Sequence, residues 1–196
     1  MTKRKLSLWK IGDEGAGSAC GAHFRPVGRT EDPKADGLRP SLYNDAVAPV
    51  IREYKSEDFD SLWRMDQKCF PPGISYSRQE LRAFVRHRGS FTLVAINEKE
   101  QLQGFIVAHC GVSGHVITID VGPETRRSGV GSLLLGGAEK RMRAAGCRAV
   151  GLETAVDNAV ALAFYKHHGY NVIRTWPRYY SNGVDALVLK KDLNGS

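Results

Sequence analysis

The sequence lacks several features that would assign it to a common class. No apolar stretch approaches the roughly 20 residues that span a bilayer, and the basic N-terminus precedes no apolar block. We therefore expect neither a membrane segment nor a secretory signal. The four cysteines are scattered and form no Cys-x-x-Cys pair. This argues against a zinc site or any other bound metal and predicts reduced thiols in the cytoplasm.

The chain also lacks a cluster of charges of one sign. Its net charge is +7, and the basic residues are mixed with acidic ones, which is typical of an ordinary solvated surface. Such a charge could still attract an anionic cofactor or a ribosomal surface. No basic-aromatic RNA-binding motif is present, so we expect no direct contact with nucleic acid.

Residues 1–47 differ from the rest of the chain in composition. They contain six glycines and three prolines and show no sustained hydrophobic periodicity. We therefore predict a disordered or loosely packed N-terminal extension. Residues 48–196 are numerous enough to bury an apolar core, and we predict that they form one domain.

From about residue 47 onward, strand and helix patterns succeed one another. Alternating or β-branched stretches predict strands over residues 47–54, 91–96, 102–110, 115–121, 147–154, 170–176 and 184–190. Helical spacing of apolar residues predicts helices over residues 56–69, 77–85, 132–145 and 158–168. A capping box beginning at Ser77 and an Asn182-Gly183 turn support the second helix and the last hairpin. Helices on both sides of a mixed sheet make an α/β (α+β) domain.

Residues 126–131, Arg-Arg-Ser-Gly-Val-Gly, form the most informative stretch of the chain. They lie between a strand pattern and a helix pattern, where unpaired backbone N–H groups and the positive end of a helix dipole can face a phosphate. They fit Arg/Gln-x-x-Gly-x-Gly, the pyrophosphate-loop pattern of acyl-coenzyme A binders. The Lys-Ser/Thr pair of the Walker pattern is missing, and Leu134 stands where the dinucleotide fingerprint needs its third glycine. A Cβ at Gly129 would hinder close approach to a phosphate, whereas Gly131 would allow tight helix packing.

The chain resembles the GNAT acyltransferase superfamily over about residues 48–193, and within it is most similar to the bacterial ribosomal-protein alanine N-terminal acetyltransferases. The resemblance rests on residues 118–121, 126–131, 152–154 with Asn158, and 163–170, in that order. Residues 178–180, Arg-Tyr-Tyr, look like that particular branch. The resemblance implies a GNAT-type, largely antiparallel central sheet flanked by helices in a single domain. It also implies transfer of an acetyl group from acetyl-CoA to a free amine.

The resemblance further implies which residues hold acetyl-CoA. Backbone amides around Ile119, Asp120 and Val121 would bind the pantetheine arm like an added strand, and Asn158 would contact the cofactor. The residues that would surround the pyrophosphate are Arg126, Arg127, Ser128, Gly129, Val130, Gly131 and Ser132. Both arginines could instead be ordinary solvated side chains. Asp120 replaces the small residue usual in the family, and strand alternation predicts that its carboxylate points away from the cofactor. If the carboxylate instead points into the cleft, it could bind the substrate amine.

The same resemblance implies the catalytic residues. Glu153 matches the glutamate of the N-terminal acetyltransferase branch and is the candidate base. An α-amine has a reference pKa of about 7.7–8.0, so a modest base acting through water suffices. Tyr165 is the candidate acid that protonates the departing thiolate. Each has a structural alternative, because Glu153 could be a strand-end carboxylate paired with Arg148 or another cation and Tyr165 could belong to the core. Tyr179 and Tyr180 are candidates for gripping a peptide N-terminus or for cross-strand packing.

The sequence does not identify the acceptor or the oligomeric state. The leading hypothesis is the N-terminal α-amine of a protein such as a ribosomal protein. A small-molecule amine, a lysine, or a non-catalytic acyl-CoA-binding sensor are the alternatives, because acceptor loops vary while the cofactor half of such a fold stays recognisable. The sequence leaves open whether the protein is a monomer or a dimer and whether acyl groups other than acetyl are used.

Overall fold

The computed structural model describes residues 49–194, in which seven strands and four α-helices alternate. The strands are β1 Val50–Glu53, β2 Ser90–Ile96, β3 Leu102–Cys110, β4 Gly114–Val121, β5 Ala149–Ala155, β6 Asn171–Trp176 and β7 Ala186–Asp192. The helices are α1 Phe59–Cys69, α2 Arg78–Arg86, α3 Val130–Ala144 and α4 Ala159–His167. Single 3-10 turns, Ser56–Asp58 and Pro123–Thr125, precede α1 and follow β4. The predicted N-terminal extension lies outside the described residues.

All seven strands form one sheet in the order β1-β2-β3-β4-β5-β7-β6. Every neighbouring pair in it is antiparallel except β4 and β5, which are parallel. Parallel neighbours need a long crossover connection, and α3 supplies it. The mixed, largely antiparallel sheet that the sequence predicted is thus confirmed.

The helices cover both faces of this sheet. Helices α1 and α2 pack on one face, against a core that includes Leu62, Phe84 and Phe105. Helices α3 and α4 pack on the other, against a core that includes Leu134 and Leu152. Successive strand residues point to opposite faces, so each central strand contributes to both cores. No helix within residues 49–194 combines the length and the apolar character that crossing a bilayer requires.

Helix α2 begins where its sequence predicts. The Ser77 hydroxyl accepts from the Glu80 backbone N–H at 3.3 Å, and the Glu80 carboxylate accepts from the Ser77 N–H at 2.9 Å. This reciprocal pair satisfies two backbone donors that a helix start leaves unpaired. The predicted capping box is confirmed.

The parallel ladder between β4 and β5 is short. It joins Gly114 to Val150, His115 to Gly151 and Val116 to Leu152, and no pair follows these among the described residues. At this point β4 bulges, because its pairing with β3 shifts between Val107 and Ala108. A bulge bends a strand and increases its twist. Beyond it, β4 stays paired to β3 and β5 to β7, so a gap opens between β4 and β5.

A buried ionic cluster fastens α3 to the end of the sheet. The Glu139 carboxylate accepts from the Tyr170 hydroxyl at 3.1 Å, from Lys191 Nζ at 2.7 Å and from Arg143 Nη2 at 3.2 Å. Only 5% of Glu139 is exposed. Burial and the adjacent carboxylate raise the pKa of Tyr170 above its ordinary value, so its phenol remains a donor. Hydrogen bonds from these three donors offset the free-energy cost of removing the carboxylate from water.

We expect Glu139→Gln to lower the free energy of unfolding by about 1–3 kcal/mol. The substitution keeps the volume of the side chain but removes the negative charge that three donors share. Chemical denaturation monitored by circular dichroism measures the change.

Asp192→Asn is the matched control, because Asp192 is exposed and lies 3.9 Å from Lys190. Exposed pairs of this kind contribute little, so we expect a change within about 0.5 kcal/mol. Equal stabilities for the two variants would contradict the role given to the buried cluster.

Candidate active site

The glycine loop has the backbone geometry of an anion cradle. Gly129, directly before α3, has a φ of +87°, and Arg127 has a φ of +68°. An ideal Cβ at Gly129 would meet no atom within 4 Å, so the space in front of this residue is open. Among the described residues, Leu133 is the first of α3 whose N–H bonds to a preceding carbonyl, that of Gly129, at 3.0 Å. The N–H groups before it are therefore available to a phosphate at the positive end of the helix dipole.

The hydroxyl groups of two serines make contacts that stabilise this loop and the start of α3. Ser128 Oγ donates to the Thr125 carbonyl at 2.6 Å, and Ser132 Oγ lies 3.0 Å from Nε2 of His168. Burial, and then the charge of His167, lower the pKa of His168, which favours its neutral form as a hydrogen-bond partner of Ser132. The two serines thus contribute structure through their side chains and leave their backbone N–H groups for binding.

Gly131 lies close to the ring of Phe164 on α4. An ideal Cβ there would lie 3.4 Å from that ring and 3.6 Å from Val121. The glycine leaves room for this approach, although a Cβ would also fit at contact distance. Val130, which is buried, holds the first turn of α3 against the core.

The two arginines of the loop are exposed and lie beside it. Arg126 Nε donates to the Val121 carbonyl at 3.4 Å, which directs this side chain toward the gap between β4 and β5. Neither Arg126 nor Arg127 is in a salt bridge with a described residue. Their charges are therefore available to an anion at the loop. As the structure stands, both side chains are exposed to solvent, as the alternative interpretation expected.

The backbone edge of β4 faces the gap. The Val121 carbonyl accepts from Arg126 Nε and from Cys69 Sγ, each at 3.4 Å, so it points away from β3. Alternate residues of a strand direct their backbone groups to the same side, which places the Ile119 groups at this edge as well. Burial, and the nearby Asp120 carboxyl, raise the pKa of Cys69 to about 11, so its thiol keeps the proton that it donates. The edge offers donors and acceptors for an extended chain.

The Asp120 side chain lies on the sheet face covered by α1 and α2, beside its cross-strand neighbour Phe105. Ile119 and Val121 pack on the opposite face, so the predicted alternation is confirmed. Oδ1 of Asp120 accepts from Thr118 Oγ1 at 2.6 Å, and Oδ2 has no partner among the described residues. Burial, and then the charge of Asp66, raise the pKa of Asp120 well above its ordinary value. The carboxyl group is only 1% exposed, so it is closed to an amine in this conformation.

Glu153 pairs with a histidine of the neighbouring strand. Its Oε2 lies 3.0 Å from Nε2 of His115. His115 is the β4 residue opposite Gly151, and Glu153 lies two positions further along β5 on the same face, where the gap opens. Of the partners that the sequence allowed for Glu153, Arg148 or another cation, the structure has a histidine and not Arg148. A carboxylate and an imidazole therefore flank the mouth of the gap.

Sequence reasoning did not identify His115. Its only local signal is a polar residue at the start of an apolar strand pattern, which is common and unspecific. The contact depends on the parallel register of β4 and β5, which is set across the whole of α3. Only the assembled sheet brings the two side chains together.

The tyrosines that follow β6 gather around Glu153. Tyr179 lies near the Glu153 carboxylate, and burial followed by that negative charge raises its pKa above the ordinary value. Its ring stacks on Trp176 with centroids 5.6 Å apart, and Tyr180 packs edge-on at 5.0 Å. Tyr180 is buried, and its pKa is raised by burial and by Glu153. Both tyrosines pack against aromatic neighbours, in the loop after β6 and not across strands, and their role in binding a peptide N-terminus stays a prediction.

Tyr165 reaches the same region from the other face of the sheet. It is buried on α4, with its ring against Phe164 at 5.3 Å and Tyr170 at 5.6 Å. Burial raises its pKa above the ordinary value, and the charges of Asp120 and Glu153 add to the effect. Tyr165 is thus both a core residue and a neutral phenol whose electrostatic neighbours are the carboxyl groups around the gap.

Asn158 serves as the N-cap of α4. Its Oδ1 accepts from the Ala161 N–H at 3.1 Å, which satisfies one of the unpaired donors at the helix start. Its carbonyl oxygen is therefore engaged, and the amide NH₂ is the part of the side chain that can donate to a cofactor.

Comparisons with known proteins agree with this geometry. A family model described as "Acetyltransferase (GNAT) family" matches residues 59–170. Among curated proteins, N-alpha-acetyltransferase 30 of Schizosaccharomyces pombe is 30% identical over 118 residues, which cover 57% of this chain and 78% of that protein.

Two solved structures have a similar fold. Ard1 from Thermoplasma volcanium superposes with a TM-score of 0.68 at 27% identity, covering 74% of this chain and 98% of that chain. The ribosomal-protein-S18-alanine N-acetyltransferase from Escherichia coli superposes with a TM-score of 0.67 at 18% identity, covering 76% of this chain and 96% of that chain. At 18% identity the likeness to the bacterial enzyme concerns the fold alone.

We expect Gly129→Ala to weaken the binding of coenzyme A about tenfold or more. A side chain at a φ of +87° is strained by roughly 1–2 kcal/mol, and the added methyl group would point into the open space before the loop. Isothermal titration calorimetry with coenzyme A measures the dissociation constant.

Gly136→Ala is the control, because a Cβ at Gly136 also meets no atom within 4 Å but this residue lies inside α3. We expect unchanged affinity and a free energy of unfolding that is equal or up to about 1 kcal/mol higher. Unchanged affinity in both variants would rule out a binding role for the loop.

Proposed function

The chain belongs to the acetyltransferase (GNAT) family and is an acetyl-CoA-dependent N-acetyltransferase, and we propose that its acceptor is the N-terminal α-amine of a protein, such as a ribosomal protein. The family membership confirms the resemblance that the sequence motifs indicated. The name of the yeast relative, N-alpha-acetyltransferase 30, supports the proposed acceptor. The observation that carries the proposal is the pair of Glu153 and His115, 3.0 Å apart, where β4 and β5 separate.

The α3 side of the gap would hold acetyl-CoA. The N–H groups at the start of α3, with Arg126 and Arg127 beside them, suit the two phosphates of the cofactor. The backbone edge at Ile119 and Val121 suits the amides of the pantetheine arm, which would replace the contacts that Cys69 and Arg126 make with the Val121 carbonyl. Asn158 would add a donor from the start of α4. With acetyl-CoA bound in this way, the thioester would lie in the gap between β4 and β5.

The acceptor amine would approach from the face covered by α1 and α2, where Glu153 lies. An α-amine has a reference pKa of about 7.7–8.0, against about 10.4 for lysine, so a much larger share of it is neutral near pH 7.5. Glu153 would supply the negative charge for removing the remaining proton, and its contact with His115 would hold the carboxylate in place. Tyr179 and Tyr180 would also border the first residue of the acceptor.

Tyr165 would protonate the departing thiolate. Its raised pKa keeps the phenol protonated across the working pH range, so the proton is available when the C–S bond breaks. A thiol has a reference pKa near 8.5, which makes its thiolate a moderately good leaving group that needs little assistance. Holding the amine and the thioester together contributes a further large part of the rate.

The proposal includes a cytoplasmic location for the enzyme. Cys69 is a free thiol, which suits the reducing cytoplasm. The partner is the acceptor chain itself, and the chemistry proceeds within one protomer whether the protein is a monomer or a dimer.

A panel of short peptides tests the acceptor. Each peptide carries one internal lysine and has either a free or a formylated N-terminus, and mass spectrometry locates the acetyl group. We expect transfer to the free N-terminus, none to formylated peptides, and lysine transfer slower by on the order of a hundredfold, because far less of the lysine is neutral. Acetylation of lysine or of a free polyamine at an equal or higher rate would refute the proposed acceptor.

Glu153→Gln and Tyr165→Phe should each lower kcat about 10²–10³-fold while changing the affinity for acetyl-CoA less than about twofold. Each substitution removes one proton-transfer group and preserves the shape of the side chain. Steady-state kinetics and calorimetry separate the two effects.

Glu98→Gln and Tyr54→Phe are the matched controls. Glu98 is exposed in the turn between β2 and β3, and Tyr54 follows β1 at the far edge of the sheet. Both controls should retain the activity of the unsubstituted enzyme. If Glu153→Gln or Tyr165→Phe also retained it, the corresponding catalytic role would be wrong.

A further inference from the structure

His168 lies beside the glycine loop and has no role in the function described above. It is the C-cap of α4, and its Nε2 lies 3.0 Å from Oγ of Ser132, in the first turn of α3. Resting on the proposed function, we propose that His168 is a positioning residue for the diphosphate of acetyl-CoA, which takes up a proton when the cofactor binds and acts through the Ser132 hydroxyl.

Packing holds the imidazole of His168 against the start of α3. The ring of Phe164, one turn earlier on α4, lies edge-on to it with centroids 4.6 Å apart. The same Phe164 ring would lie 3.4 Å from an ideal Cβ at Gly131, so it also packs on the first turn of α3. The imidazole is only partly exposed, and its position against Phe164 directs Nε2 at Ser132.

Ser132 has two hydrogen-bond donors at the start of α3. Its backbone N–H precedes that of Leu133, the first in α3 that bonds to a preceding carbonyl among the described residues, so it is available to a phosphate. Its side chain is exposed, and its hydroxyl is in contact with the imidazole. A group that sets the direction of this hydroxyl proton therefore controls one donor at the diphosphate.

The protonation state of His168 sets that direction. A neutral imidazole can accept the Ser132 hydroxyl proton at Nε2, and the hydroxyl then has no proton to donate to a phosphate. An imidazolium carries a hydrogen on both ring nitrogens and can only donate. Its Nε2–H would bond to Ser132 Oγ, and the hydroxyl proton would turn toward the diphosphate. The imidazolium also adds a positive charge beside the loop, and hydrogen bonds that involve charged groups are the stronger ones.

Within the chain itself, the surroundings of His168 favour its neutral form. Burial, and then the charge of His167 on α4, lower its pKa, and Lys191 on β7 adds to this effect. Glu139 on α3 acts in the opposite direction. Because Glu139 accepts a hydrogen bond from Lys191 at 2.7 Å, these two charges largely offset each other at His168.

A bound diphosphate would reverse this preference. Its two negative charges would lie at the start of α3 and favour the imidazolium, and the exposed Arg126 and Arg127 would share them with His168. The pKa of His168 would then be higher in the complex than in the free protein, so binding takes up a proton. Affinity is therefore highest below the pKa of the free protein and falls as the pH rises through the pKa of the complex.

Isothermal titration calorimetry in two buffers of different ionisation enthalpy counts the protons taken up on binding. The probe is dephospho-coenzyme A, which keeps the diphosphate and lacks the 3′-phosphate, a group that itself titrates at about pH 6. At pH 6.5 we expect the unsubstituted protein to take up about half a proton or more per ligand. Its dissociation constant should rise about fivefold or more between pH 6 and pH 8.

Three variants assign the proton to its group. In His168→Gln the side chain can keep a hydrogen bond to Ser132 but cannot be protonated, so we expect no uptake and a dissociation constant that is independent of pH. Ser132→Ala removes the hydroxyl and should lose most of the uptake and about tenfold in affinity at pH 6. His167→Gln is the matched control and should keep the uptake, because this ring is exposed and lies beside that of His168, with centroids 5.3 Å apart.

Uptake that persists in His168→Gln or disappears in His167→Gln would overturn the proposal. Full uptake in Ser132→Ala would also overturn it, because the imidazole would then act without the hydroxyl. So would uptake with coenzyme A but not with dephospho-coenzyme A, because the proton would then depend on the 3′-phosphate.

The same titrations separate this proposal from the proposed function. Binding without proton uptake would refute the role of His168 and leave the proposed function intact, because acetylation of peptides is measured independently. If neither coenzyme A nor dephospho-coenzyme A bound, the cofactor site on which both proposals rest would be wrong.

Discussion

The separation of β4 from β5 after three paired residues is the constraint on which the site depends. Each strand remains anchored on its outer side, β4 to β3 and β5 to β7, so closing the gap would cost hydrogen bonds of those ladders. The bulge in β4 bends the strand at this point. The result is a backbone edge that can accept an extended ligand and a mouth at which His115 and Glu153 meet.

The sheet also divides the chemistry between its two faces. The glycine loop, Ser132 and Tyr165 belong to the face of α3 and α4, which suits a cofactor. Glu153, His115 and Asp120 belong to the face of α1 and α2, which suits an acceptor. Two substrates that approach from opposite faces can meet in the gap without competing for space. Proximity of this kind is a major source of rate when a reaction joins two molecules.

Local features of the fold were predictable, because short-range hydrogen bonds and backbone preferences determine them. The capping box at Ser77 and the loop around Gly129 follow from a few adjacent residues, and the structure has both. Contacts between elements were not predictable in the same way. The sequence did not specify His115 as the partner of Glu153, because the register of the sheet decides this contact.

The sequence by itself determined the cofactor half of the protein. Donors at a helix start and a positive φ at Gly129 depend on neighbouring residues along the chain, so a motif can carry them. The tertiary structure alone decided which side chains meet beside the gap. His115 and Glu153 lie on strands joined through the whole of α3, and their contact exists only in one parallel register. A shift of that register by one residue would turn Glu153 to the other face of the sheet, because strand side chains alternate with a period of two.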